Sequence, residues 1–428
     1  MVAKWRHGRA QHTRGEKLSM SSTTRVSTAV VAERSDARMA ALAMFGILLV
    51  SYTLMSADRY LISMLGPDIR AALGLSLPQM GALTTMFTFG IAIAGLPGGS
   101  LIARTSRRTV LLLGIVLFSA ATLLFTQATG FFSMFVYIVM QGVGMSFLAT
   151  SMFALSASYF SKTRVAAAGI VNMCFGLGSF VGPWAVGNIR TSSGSWQTPM
   201  VVFGLTGIGV AALVALAVRE WFTETKGVAQ QSAATGGADS LMNRNTIVFS
   251  VLSALYGLTV YGFLGLYPTF LRDVLKLTPA EVGGIMPFFG LGTLTSFFAG
   301  QLGDRFPTKI VLGVASLVLV ALGFVLYIPG LSSGMYKLMA LLVGVFGGSI
   351  VYVNLAGGHI KSLRRSLANK GSSMFISSLY TGGALGGYLM GSLVATWGWG
   401  VAGRIQISLL SLISAILVFG LRPDEMSQ

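Results

Sequence analysis

The chain has 428 residues, 54% of them hydrophobic and only 10% charged, with a mean hydropathy of +0.74. Soluble domains carry about 25% charged residues, so a water-soluble fold is excluded. The formal net charge is +17, but the Lys and Arg residues sit in a tail and between apolar runs, which reads as a membrane topology signal rather than a nucleic-acid surface.

Residues 1–37 are polar and basic without apolar periodicity, and are expected to form a disordered cytoplasmic tail. The first apolar run is too long for a signal-peptide core and is expected to continue as a membrane span. Runs long enough to cross a bilayer lie near 39–66, 79–103, 108–127, 130–157, 164–189 and 198–219. After a polar linker, 220–245, they resume near 246–270, 279–302, 308–329, 333–357, 368–396 and 401–421. The expected fold is therefore an all-α membrane protein. Its twelve transmembrane helices form two pseudo-symmetric six-helix bundles, 38–219 and 246–422, with a short cytoplasmic tail at 423–428. Of the 30 basic residues, Arg70, Arg190, Arg272, Lys276, Lys337 and Arg404 fall in or near loops opposite the termini, and Arg59 lies within a span. The others share the side of the termini, which places both termini in the cytoplasm of an inner or plasma membrane.

The halves repeat each other. "GSLIARTSRR" starts at 99 and "GQLGDRFPTK" at 300, an offset of 201 residues. Gly-x-x-x-Gly pairs start at Gly178 and Gly383, an offset of 205. Repeated six-helix halves are the build of many secondary transporters, with substrate bound between them near the midplane.

On these residues the chain resembles the major facilitator superfamily over 38–422. The family's loop motif, Gly-x-x-x-Asp-Arg-x-Gly-Arg-Lys/Arg, is matched by Gly300, Gly303, Asp304, Arg305 and Lys309, and in the first half by Gly99, Arg104, Arg107 and Arg108. Ala103 and Ser106 depart from it. The resemblance implies that Arg104, Arg108, Asp304 and Arg305 form a conformational latch. In "IVMQGVG" Gln141 and Gly142 match an Arg-x-x-Gln-Gly pattern, with Ile138 in place of the Arg. Gly178, Gly182 and Pro183 resemble an antiporter-type motif. They are read here as close helix packing, since small residues let backbones approach, plus a kink. The stretch "DRYLISMLGPDIRAALGLSLPQMGAL" resembles the anion:cation symporter and spinster-like branches. The first of these carries small organic anions, commonly with protons. Met145 stands near the place where that branch often has a buried Glu.

Asp58 and Arg59 lie within the first span, where charge costs roughly 2.5–3.5 kcal/mol on insertion scales. Successive helix residues point about 100° apart, so the two need different surroundings. Arg59 shares a polar stripe with Tyr52, Ser56 and Ser63 and is assigned to the central cavity. Asp58 shares an apolar face and is assigned to its margin, against a neighbouring helix. No other acid lies well inside a span, so an incoming anion could neutralise Arg59, whose planar fork suits a carboxylate. Asp58 is then the candidate for proton coupling. Gln141, Asn172, Tyr256, Tyr261, Asn354, Ser377 and Tyr380 are further candidates for substrate contact. His359 is expected to be a solvated loop residue.

Cys174 is the lone cysteine and only three histidines occur. No disulfide, metal site, cofactor or enzymatic residue set is expected. The resulting expectation is a monomeric secondary transporter of a small organic anion, a carboxylate or sugar acid, moved with protons through a lipid bilayer. A proton-linked exporter of drugs or metabolites and a transporter-like sensor remain open alternatives.

Overall fold

The computed structural model describes residues 39–159, 164–224, 237–364 and 367–426. The expected tail, 1–37, lies outside the described residues, as does much of the linker.

Six apolar helices cross in the first half: Met39–Met64, Leu77–Gly95, Arg107–Gln127, Phe131–Ser156, Ile170–Ser193 and Gln197–Ala217, here spans 1 to 6. Arg244–Asp273, Pro279–Gly303, Thr308–Val325 and Ser333–Lys361 follow as spans 7 to 10. The last helical stretch, Lys370–Gly420, runs for 51 residues. At 1.5 Å per residue it would measure roughly 75 Å, more than twice the bilayer core. Gly398, at φ 74° and ψ 172°, breaks it. Only glycine reaches that backbone region readily. The break yields spans 11 (370–397) and 12 (399–420), and so twelve crossings among the described residues.

The repeat continues in the caps. Ser76 and Gln79 form a capping box at the start of span 2, and Thr278 and Glu281 form one at the start of span 8. Each satisfies orphan N–H groups at a helix end. Between the halves, residues 237–239 dock on the end of span 10. The Ala238 N–H donates to the Ser362 carbonyl at 3.2 Å, and the Arg364 N–H donates to the Ala238 carbonyl at 3.1 Å.

Helical regularity fails at selected places. Span 1 loosens at Arg59–Tyr60, where the Tyr60 N–H donates to the Ala57 carbonyl at 3.2 Å. Span 10 holds a π-helical stretch at Gly344–Val351 and span 12 one at Arg404–Leu409. Such irregularities persist at membrane depth only where protein or a cavity receives the freed groups.

The two halves meet tightly at the end opposite the linker. Span 2 and span 11 touch through Gly81 and Gly387, each placed so that a Cβ would run into the other's backbone carbonyl. The short helix Gly66–Leu73 joins the halves by charge at the same end. Asp68 pairs with Arg190 at 2.8 Å and with Arg272, while Arg70 pairs with Asp273 at 2.8 Å. Burial opposes the ionised form of Asp68, but the bonds from Arg272 and Arg190 outweigh it and hold the carboxyl below its usual value.

A carboxyl with a lowered value stabilises while ionised. The contribution of Asp68 is therefore complete above about pH 3.9, the ordinary aspartate value, and is lost as pH falls through the lower native value. Asp68→Asn should loosen this end at neutral pH, whereas wild type should loosen only in acid. The readout is labelling of Ser63→Cys, in a Cys174→Ser background, by an impermeant thiol reagent added from that side. Equal labelling of both proteins at pH 7 would contradict it.

Candidate functional site

A cavity of about 360 Å³ lies between the halves. It is lined from spans 1, 2, 4 and 5 on one side and spans 7, 8, 10 and 11 on the other. Tyr52, Met55, Arg59, Tyr60 and Ser63 supply the wall from span 1. Their spacing is a helical stripe. The lining runs from Ser63 and Thr84 near the closed end to Gly95, Asn172 and Ile376 toward the linker side, and these last three are exposed. The cavity thus opens toward the linker and is sealed at the opposite end.

Arg59 is the one charged residue among the described residues of the lining. Its guanidinium is flanked by the rings of Phe87 and Phe175, with Cζ 4.7 Å and 4.9 Å from their centroids. One Nη2–H donates to the Tyr261 hydroxyl at 3.0 Å. Among the described residues no carboxylate pairs with it, and its remaining N–H groups open on the cavity. A planar cation lying over two aromatic rings, with N–H groups beyond the one bonded to Tyr261, can receive a carboxylate or similar anion.

Asp58 points the other way. It is 2% exposed and lies between spans 1, 3 and 4. The Thr122 hydroxyl donates to its Oδ2 at 2.9 Å, and the Gln141 amide donates to the same oxygen at 2.7 Å. Both donors are neutral. Two adjacent charges on one helix are thus parted by the helical turn: one faces the cavity, the other a packed interior.

Of the residues expected to contact substrate, Arg59, Tyr52, Asn172, Tyr256, Tyr261 and Tyr380 line the cavity together. Four do not. Ser56 is buried, donating to the Phe175 carbonyl at 2.6 Å and lying 3.2 Å from the Ser179 hydroxyl. Gln141 is occupied by Asp58. The Asn354 amide donates to the Ala299 and Ile350 carbonyls at 3.3 Å and 2.9 Å. Ser377 is exposed outside the lining. In each case helical phase turned the side chain toward a neighbouring helix or away from the lumen. His359 is also corrected. It is fully buried, its ring 5.6 Å from those of Phe249 and Phe375, and its Nδ1–H donates to the Leu355 carbonyl at 2.9 Å.

The residues expected to form a latch fall at the linker-side ends of spans 2, 3 and 8. Arg108 donates to the Ala215 carbonyl at 2.7 Å in its own half and sits 3.7 Å from Glu220 at the start of the linker. Arg104 and Arg305 are exposed and form no ion pair among the described residues, and the Asp304 side chain lies outside them. Gly178 and Gly182 abut span 1; a Cβ on Gly182 would come within 2.7 Å of the Ala57 backbone. Pro183 lies inside the same helix.

Phe87, Phe175, Tyr60 and Tyr352 are lining residues that sequence reasoning missed. Tyr60 and Tyr352 carried a signal, since tyrosine concentrates at membrane interfaces and one at mid-span invites a polar role. Nothing in the sequence distinguishes Phe87 or Phe175 from lipid-facing phenylalanines.

The model of the Major Facilitator Superfamily matches residues 48–384. Solute carrier family 22 member 18 of Mus musculus is 25% identical over 403 residues, covering 89% of this chain and 97% of that protein. The hexuronate transporter of Bacillus subtilis (strain 168) is 26% identical over 313 residues, 70% of this chain and 72% of that protein. Among solved structures, a bacterial homolog to the human lysosomal transporter Spinster, in an inward-facing and unoccupied conformation, superposes with a TM-score of 0.67 at 19% identity. That alignment covers 89% of this chain and 95% of the other. Twelve apolar crossings around one central cavity, with a family match across most of them, lead to one conclusion: the chain belongs to the Major Facilitator Superfamily and is a multi-pass membrane transporter.

Proposed function

We propose that the protein is a secondary active transporter that moves a small organic anion across the inner or plasma membrane together with protons. The observation that carries this reading is the Arg59 guanidinium, facing the cavity with no carboxylate partner among the described residues. An unpaired cation at membrane depth is costly, and an anionic substrate would neutralise it. A cationic substrate would meet like charge in a low dielectric. A relative named as a hexuronate transporter agrees with an anionic cargo.

Tyr52, Asn172, Tyr256, Tyr261 and Tyr380 would contact the body of the substrate, and Asp58 would carry the proton. Thr122 and Gln141 can bond Asp58 in either state, because a protonated carboxyl still offers acceptor oxygens. Alternating access would proceed by rocking of the halves around the fixed site, with the Asp68 cluster released as the closed end parts. The excess of Lys and Arg on the linker side supports a cytoplasmic location for that side and for both termini. The cavity as it stands then faces inward.

Arg59→Lys should weaken anion binding about tenfold or more, since charge-assisted hydrogen bonds are worth about 1.5–3 kcal/mol and 1.4 kcal/mol is tenfold. Calorimetric titration of the purified variant checks this, and an unchanged Kd would count against recognition at Arg59. Asp58→Asn should abolish pH-driven accumulation in proteoliposomes while sparing counterflow exchange; accumulation at the wild-type level would exclude Asp58 as the coupling group. Thr122→Val should cost about 1–3 kcal/mol by removing a donor from a buried carboxyl, read as a lower melting temperature in detergent. An unshifted transition would mean that Gln141 alone suffices.

A further inference from the structure

The chemistry of the cavity wall narrows the substrate further. Three features set the limits. First, Arg59 is the one cation among the described residues of the lining, and that lining holds no Lys, His, Asp or Glu. A second carboxylate on the substrate would be desolvated without a partner, which is strongly unfavourable. A dianion is therefore disfavoured and a monoanion favoured.

Second, the surroundings of the guanidinium are aromatic. Phe87 and Phe175 flank it, Tyr261 bonds it, and Tyr380 lies next to Tyr261, their ring centroids 6.0 Å apart. A carboxylate seated on the free edge of Arg59 brings its adjoining carbons into this shell. Aromatic pairs at such separations gain about 0.5–1.5 kcal/mol beyond burial alone.

Third, few polar groups of the lining other than tyrosine hydroxyls are left free to bond a polyol. Asn172 is the single carboxamide of the lining, because Gln141 and Asn354 are turned away and bonded elsewhere. Buried hydroxyls without partners each cost about 1–3 kcal/mol. Ser and Thr hydroxyls also border the cavity, but those of Ser63, Thr84, Ser146, Thr293 and Ser296 already donate to backbone carbonyls, so the hydroxyls left without a partner belong largely to tyrosines. Those of Tyr52, Tyr256, Tyr352 and Tyr380 have no hydrogen-bond partner among the described residues. They sit on ring edges, placed to meet one or two hydroxyls at the rim of a flat molecule.

From these features we infer that the substrate is an aromatic monocarboxylate, with its carboxylate on Arg59 and its ring among the tyrosines, rather than a sugar acid or a dicarboxylate. This rests on the anion reading above and goes beyond it in naming the body of the substrate.

Four probes separate the two. Purified full-length protein is titrated with 4-hydroxybenzoate, 4-hydroxybenzamide, glucuronate and succinate, following both melting temperature and heat of binding. 4-Hydroxybenzoate should bind at least tenfold tighter than glucuronate and succinate. 4-Hydroxybenzamide, which has the same ring without the charge, should bind at least tenfold more weakly than the acid. Arg59→Lys should erase most of the difference between acid and amide. Tyr380→Leu should weaken 4-hydroxybenzoate several-fold more than it weakens succinate. If glucuronate or succinate binds as tightly as 4-hydroxybenzoate and depends on Arg59, the aromatic assignment falls and the anion reading stands. If acid and amide bind equally, or if no acid binds folded wild-type protein, both fall.

Discussion

Inside the hydrocarbon of a bilayer there is no water to complete a hydrogen bond, and most of this molecule follows from that constraint. Backbone groups are satisfied within long helices. At the places where the ladder loosens, side-chain hydroxyls add hydrogen bonds. Span 1 yields at Arg59–Tyr60, and the Ser63 hydroxyl donates to the Tyr60 carbonyl at 3.2 Å. Span 10 widens at Gly344–Val351, and there Ser349 accepts from Thr295 at 3.0 Å. Both irregular segments contribute to the cavity wall, through Arg59, Tyr60 and Gly348. Two of the departures from regular helix thus border the chamber, whereas the π-helical stretch of span 12 at Arg404–Leu409 does not.

The same constraint disposes of the two charges in span 1. A carboxyl and a guanidinium on neighbouring residues cannot share one surface of a helix. The fold gives Asp58 two neutral donors in a packed interior and gives Arg59 a tyrosine hydroxyl, two ring faces and open space. An interior ion pair would have silenced both groups. Keeping them apart leaves the cation available to a ligand and leaves the acid in a bonded niche that tolerates either protonation state. The proposed roles of the two residues grow from that separation.

Contacts between the halves are divided by chemistry along the membrane normal. At the closed end, glycine backbones touch, and the Asp68–Arg272 and Arg70–Asp273 pairs cross the gap. Toward the linker the halves part around the cavity. Backbone contact is strong only when complete, since dispersion falls steeply with separation, and partly exposed ion pairs are individually weak. An interface of this kind can let go as a unit, which suits a protein whose proposed work is to open one end and close the other.

The sequence by itself determined the class, the crossings and the candidate charges. Apolar runs of about 20 residues admit few solutions in lipid, and the repeated loop and Gly-x-x-x-Gly segments declared two related halves. Arg59 and Asp58 stood out because ionisable residues at depth are rare. Tyr52, Tyr256, Tyr261 and Tyr380 stood out as polar groups within spans. Tertiary structure alone decided which way each of them points. Ser56 sits on the Arg59 stripe yet bonds Phe175, Gln141 serves Asp58, and Asn354 turns to Ala299. His359 proved to be a packed residue, and Phe87 and Phe175 proved to frame the guanidinium. A one-dimensional pattern fixes the phase of a side chain on its own helix, but whether that phase meets a lumen, a lipid or a partner depends on how twelve helices are rotated against one another. That rotation is set by contacts between segments far apart in the chain, such as Gly81 against Gly387 and Gly182 against Ala57.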